Sequence, residues 1–253
     1  MRKIDCDCKW GAIHGIVEQY VAANKKLDAE TIKSLCVGEG ACNHGIGHML
    51  LVQTNNDVPK ALADCKVLKI QEQHMCMTGV FMERMTLQNL VDKENDTRSR
   101  RMKYWQNRLP EFEKLCESFT GGGHSACWEE ISRPVVGVFN GDPEKVLAFC
   151  NRSSTQEGAN YCRRRAVSEI ISSRKFDMMG LKYMCELGPA NDSTFSRDCY
   201  LRIANLAQVS LPNNRKNEVS EYCQSIPRIY IKACNDVLSG ASLSESIDRN
   251  LLN

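Results

Sequence analysis

Half-cystine spacing constrains this chain more than any other feature. Cysteines that open a run of helix-like sequence stand at Cys8, Cys42, Cys76, Cys127, Cys162, Cys199 and Cys234, in steps of 34, 34, 51, 35, 37 and 35 residues. A period of that size belongs to stacked helix-turn-helix units, because one such unit cannot bury its apolar face alone and needs a neighbour of the same kind. The single long step reads as one repeat carrying an insertion of about 16 residues, placed roughly at Asp92 to Asn107. That segment is rich in Asp, Glu, Lys, Arg and Asn and is expected as a protruding loop or an extra polar helical turn.

Cys42 to Cys65 displays the unit in full. A first helix is expected over His44 to Gln53, then a Thr54-Asn55-Asn56-Asp57 turn, then a second helix from Val58, with Asp57 as N-cap and Pro59 in the first turn. Gly141-Asp142-Pro143 repeats the same start signal, and a helix from about Asp28 to Cys36 precedes both. Pro134 is expected to kink or shorten its helix, and Gly121-Gly122-Gly123 to form a loop. Counted from each opening cysteine, offsets +4, +5, +8 and +9 collect Ile46, Leu50, Val80, Phe81, Met85, Ile131, Val135, Val136, Val167, Ile170, Ile171 and Ile203, with Ile13, Ile16 and Val17 in the first repeat. This is an amphipathic stripe of helical period, so it is the expected core.

Two disulfide pairings fit the ladder. One joins the end of each hairpin to the start of the next, as 36/42, 65/76, 116/127, 150/162, 185/199 and 223/234, leaving Cys6 with Cys8. The other ties the two helices of one hairpin, as 8/36, 42/65, 76/116, 127/150, 162/185 and 199/223, and strands Cys6 far from Cys234. The first is the expected arrangement. Fourteen cysteines so placed suit an oxidising compartment, so a secreted or periplasmic location is expected, the chain being read as a mature form without a leader. A four-thiolate zinc site at Cys6, Cys8, Cys36 and Cys42 is the weaker use of the same residues.

With 33 basic and 31 acidic residues interspersed, the net charge is only +2, which gives no electrostatic case for nucleic acid. No apolar run long enough to span a membrane is present. Dinucleotide, Walker and Gly-x-Ser-x-Gly patterns are absent as well. One stacked single domain over residues 1–253 is the expectation.

The run Asp57, Lys60, Ala61, Cys65, echoed by Asp142, Lys145, Val146 and Cys150, together with period and hairpin plan, resembles secreted cysteine-rich SEL-like repeat proteins of the tetratricopeptide superfamily. The resemblance implies an all-α, right-handed superhelical solenoid of six to seven disulfide-stapled helix-turn-helix repeats, exported, binding a partner on its concave face, with no catalytic residues. Such a scaffold would take a protein, peptide or small ligand, and Trp10, Gly11, Gly45, Gly79, Glu129 and Arg133 are the residues placed to contact it.

Histidines argue for a second reading. His14 and His48 share offset +6, where the third repeat has Met82, and His44 lies one turn before His48 as Glu18 lies one turn beyond His14. With His74 reaching in from the loop before Cys76, the set His14, Glu18, His44, His48, His74 and Met82 would suit copper or zinc rather than calcium or magnesium. Gly11, Gly45 and Gly79 share offset +3, and glycines in helical register cost stability, so something is expected to approach the backbone there: a helix or a ligand. The enzymatic alternatives are a metal-dependent enzyme built on His14, His44 and His48, or a thiol oxidoreductase using Cys6-Asp7-Cys8.

Overall fold

The protein is described by a computed structural model over residues 27–36, 40–87, 98–174, 176–188 and 193–240, with the single positions Gly15, Gln19 and Ala23. Every regular element among the described residues is helical, so the all-α expectation holds. In chain order the helices are α1 (Ala29–Leu35), α2 (Gly40–Gln53), α3 (Val58–Cys65), α4 (Ile70–Leu87), α5 (Arg98–Glu117), α6 (Gly121–Val138), α7 (Pro143–Cys150), α8 (Gln156–Ser173), α9 (Met178–Leu181), α10 (Ser193–Ser210), α11 (Lys216–Ser225) and α12 (Arg228–Leu238). Short 3-10 turns follow α9 at Lys182–Glu186 and α10 at Asn213–Arg215. The chain falls into two compact units, Met1–Ile131 and Ser132–Asn253, with the boundary inside α6.

Local chemistry explains why the hairpins turn where they do. Asp57 caps α3 by accepting from the Lys60 amide at 3.1 Å, and Asp142 caps α7 by accepting from the Glu144 and Lys145 amides. Each cap satisfies amides that the first helical turn leaves without intrahelical acceptors. The residue just before each Asp is left-handed: Asn56 at φ 65° and Gly141 at φ 68°. In that conformation its N–H reaches back to close the preceding helix, Asn56 to the Leu51 carbonyl at 2.9 Å and Gly141 to the Val136 carbonyl at 2.8 Å. A third hairpin uses the same turn with an unexpected residue. Phe176 stands at φ 59°, its N–H 3.1 Å from the Ile171 carbonyl, before Asp177, which caps α9 through the Gly180 amide. Neither glycine nor asparagine marks that turn, so its signal is absent from sequence.

Each first helix begins further upstream than its cysteine suggests. Cys76, Cys127, Cys162, Cys199 and Cys234 each occupy the seventh position of α4, α6, α8, α10 and α12. The closing cysteines lie at or near the ends of the second helices: Cys65 and Cys150 are the last residues of α3 and α7. All six bonds of the between-hairpin scheme form, Cys36–Cys42, Cys65–Cys76, Cys116–Cys127, Cys150–Cys162, Cys185–Cys199 and Cys223–Cys234. The competing scheme is thereby displaced, while Cys6 and Cys8 lie outside the described residues. Five first helices thus run nearly two turns before their cysteine, whereas Cys42 is already the third residue of α2.

The structure bears on three local expectations. Of the two forms expected for the insertion, residues 98–107 take the helical one: they open the 20-residue helix α5, and Trp105, 8% exposed, packs against Phe112 at 5.4 Å between ring centroids. An aromatic with an apolar partner one helical repeat further on is enough to bury one face of an otherwise charged helix. Gly121-Gly122-Gly123 forms the first turn of α6 instead of a loop, because the turn is packed: a Cβ on Gly122 would lie 3.3 Å from Met77 Sδ and one on Gly123 3.3 Å from Leu62 Cδ1. Pro134 does not end α6, which continues to Val138 although the proline has no N–H for the Glu130 carbonyl.

The core follows the stripe. Ile46, Leu50, Val80, Phe81, Ile131, Val135, Ile170, Ile171, Ile203, Ala204 and Ala207 are all fully buried, with Met85, Val136 and Val167 nearly so. In the first unit α2 packs most extensively on α4, with α3 against both. In the second, α8, α10 and α12 lie in succession, α7 packs on α8, and α11 fits against α10 and α12.

Two tyrosines seal the last of these contacts. The Tyr222 hydroxyl donates to the Tyr200 carbonyl at 3.3 Å, and Tyr200 donates to Glu186 at 3.4 Å. Burial first, then the neighbouring Glu186 carboxylate, pushes Tyr200 up to about 12, and burial pushes Tyr222 well above the ordinary phenol value of 10.0. A raised folded-state pKa stabilises the fold below the unfolded value and the contribution is lost as pH rises through the folded value. Stability is therefore expected to fall between pH 10 and about 12. Tyrosinate absorbance should show a delayed, cooperative component in that window, which Tyr222→Phe diminishes; a simple titration of all tyrosines near their ordinary value would contradict the packing.

Candidate histidine and thioether site

A polar cluster within the first unit's core lies where α2 and α4 cross. A Cβ on Gly79 would stand 1.9 Å from the His44 carbonyl oxygen and 3.1 Å from the Gly47 Cα, and one on Gly47 would stand 1.9 Å from the Cys76 carbonyl oxygen. The two backbones touch, so what approaches Gly79 is a neighbouring helix. Its partner glycine is Gly47; Gly45, the offset +3 residue of the same helix, is buried.

Close crossing brings side chains of α2 and α4 within bonding reach. His44 and His48 are only 8% and 4% exposed, one turn apart on α2. Their Nε2 atoms are 3.2 Å apart, and the His44 Nε2 is 3.3 Å from Met82 Sδ on α4. The outer nitrogens are held separately, His44 Nδ1 at 2.9 Å from Thr78 Oγ1 and His48 Nδ1 at 2.6 Å from Glu83 Oε2.

The neighbours decide which nitrogens carry protons. Thr78 donates its hydroxyl hydrogen to the Met75 carbonyl at 2.8 Å, so toward His44 it accepts, and His44 Nδ1 is the N–H. Glu83, as a carboxylate, only accepts, which makes His48 Nδ1 an N–H as well. With both Nδ1 atoms so engaged, His44 Nε2 faces both the His48 Nε2 and the methionine sulfur.

Of the sequence-derived set, His44, His48 and Met82 come together, whereas His14 and Glu18 lie outside the described residues. His74 is within α4 instead of on a loop, and its Nε2 bonds Glu129 Oε2 at 2.6 Å. It stands eight residues before Met82, about 12 Å along the helix. Thr78 and Glu83 were not expected. A register signal for Glu83 does exist: it is at offset +7 and meets offset +6 of the preceding repeat, as Glu169 does with Arg133 at 3.7 Å.

Among the described residues, no group of three or more His, Cys, Asp or Glu side chains is arranged to hold a metal. Trp10 and Gly11 lie outside them, as does the Cys6-Asp7-Cys8 motif. Trp128 is fully buried with its indole N–H donating to Glu117 at 2.8 Å, beside the His124–Glu117 pair at 3.1 Å. In the second unit an open polar hollow of about 510 Å³ is lined by Phe139, Asn140, Asp142, Lys145, Arg174 and Tyr183 among others. The Lys145 side chain and backbone amides hold the Asp142 carboxyl below its ordinary range, so the hollow carries both signs of charge.

No helix among the described residues is long and apolar enough to cross a membrane. The chain is thus an all-α protein of disulfide-linked helical hairpins with two buried imidazoles beside a part-buried thioether. No family model, curated protein or solved structure matches it.

Proposed function

We propose that this chain is an exported helical-repeat scaffold that binds a protein or peptide along its first helices, in the manner of the SEL-like repeat proteins it resembles. The observation that carries the reading is the disulfide register: each of the six bonds joins the end of one hairpin to the first helix of the next. Covalent ties between consecutive units preserve a binding surface where reducing machinery is absent, and such bonds persist only in oxidising surroundings. Salt bridges between consecutive first helices support the same reading. Arg133 reaches Glu169 from α6 to α8, and Arg164 reaches Asp198 at 2.8 Å from α8 to α10.

Trapping thiols by acid quench and alkylation in the source cells tests it. The mature chain should fractionate outside the cytoplasm with its twelve paired cysteines unlabelled until reduction. A protein partner retained by the wild type should be lost on Arg133→Glu with helicity unchanged. Recovery of the chain from the cytosol with all thiols labelled would sink the proposal.

A further inference from the structure

We propose that His44 Nε2, His48 Nε2 and Met82 Sδ form a binding site for monovalent copper. Thr78 and Glu83 take the Nδ1 hydrogens, so the inward atoms are two imidazole nitrogens and a thioether sulfur, with His44 Nε2 3.2 Å from His48 Nε2 and 3.3 Å from Met82 Sδ. Two imidazoles bound to one ion at ~2.0–2.1 Å in a tetrahedral arrangement hold their nitrogens about 3.3–3.4 Å apart. The observed separation is therefore already that of a bidentate site.

Donor type and charge choose the ion. A thioether is a soft, neutral ligand that favours Cu(I), while imidazole accepts copper readily. Because the third donor is sulfur from methionine, the triad is distinct from any grouping of His, Cys, Asp and Glu alone. Glu83, bonded to His48, places one negative charge beside the site. A single positive charge neutralises it in a buried setting, where an uncompensated second charge would be costly. The carboxylate and hydroxyl on the Nδ1 atoms also do what such partners do at metal sites: they fix tautomer and ring orientation. Finally, the thiolates that would outcompete this site are consumed at twelve positions by disulfides. The site does not depend on the scaffold reading, and either stands if the other fails.

The competing occupant of the gap is a proton, which would turn one ring into an imidazolium shared with the other. To separate them, disulfide-intact protein, treated with iodoacetamide to cap any free thiol, is titrated anaerobically with Cu(I) against a chromophoric Cu(I) chelator. One Cu(I) per chain is expected, with X-ray absorption reporting two nitrogen scatterers and one sulfur. Met82→Leu keeps the apolar volume and should weaken binding ~10-fold or more and remove the sulfur, and Glu83→Gln should weaken it ~10–100-fold. Should either variant misfold by circular dichroism, the imidazole nitrogen resonances of the wild type decide the matter. Both Nε2 signals shift on one equivalent of Cu(I) if the site is real. Failure to withhold copper from the chelator, unmoved Nε2 resonances, or a folded Met82→Leu that binds as tightly as wild type would each overturn the assignment.

Discussion

Full reduction of the six disulfides is expected to unfold the protein at room temperature. The bonds close segments with sequence separations from 6 to 14 residues. In the chain-closure model such loops contribute ~2–3 kcal/mol each, so the six together contribute roughly 15 kcal/mol. That matches or exceeds the ~5–15 kcal/mol that separates a typical native domain from its unfolded ensemble. Several helices need the help. The second helix of one hairpin is only the four residues of α9 with its 3-10 extension, and α3 and α7 have eight residues each, lengths at which isolated helices do not persist. Far-ultraviolet circular dichroism with and without reductant, followed by non-reducing peptide mapping, checks this. Native helicity in a chain proven fully reduced would mean that the packed stripe alone suffices.

Gly79→Ala should be among the most damaging single methyl additions in the first unit. The new Cβ would stand 1.9 Å from the His44 carbonyl oxygen, and that obstacle is backbone, which cannot rotate aside. Helices α2 and α4 must separate, opening contacts of Ile46, Leu50, Val80 and Phe81, all fully buried. A loss of ~3 kcal/mol or more is expected, the upper end for overpacking. The alanine's better helix propensity, ~1 kcal/mol, offsets only part of it. Gly47→Ala meets the Cys76 carbonyl at the same distance and should behave alike, whereas Gly15→Ala, with nothing within 4 Å, should be tolerated or stabilising. Denaturant melts of the three variants test the ordering. Because His44 and Met82 face each other across this crossing, the two damaging variants should also lose the imidazole and thioether cluster.

Much of this architecture is legible without coordinates because it is local or periodic. Asp57 and Asp142 announce their helices through short-range cap chemistry, and the apolar stripe from Ile46 to Ala207 announces its buried face through helical period. The disulfide partners follow from the same logic, since the end of one hairpin must lie near the start of the next. Phe176 was silent because its left-handed turn is imposed by the flanking helices and not by glycine or asparagine. Trp105 was silent for a related reason: a charged segment gives little sign that one aromatic will bury its face.

The candidate site divides along the same line. Sequence spacing places His44 and His48 on one face of one helix and marks Met82 as their counterpart in the next repeat, and nothing beyond the 3.6-residue turn is needed for that. What only the tertiary structure decides is the distance across α2 and α4. Gly47 and Gly79 let the two backbones touch, and that contact brings Met82 to His44, Thr78 to one Nδ1 and Glu83 to the other. Periodicity fixes which face a residue occupies, but the approach of two faces depends on atoms that are absent from both glycines, a relation between segments more than thirty residues apart that no local pattern encodes.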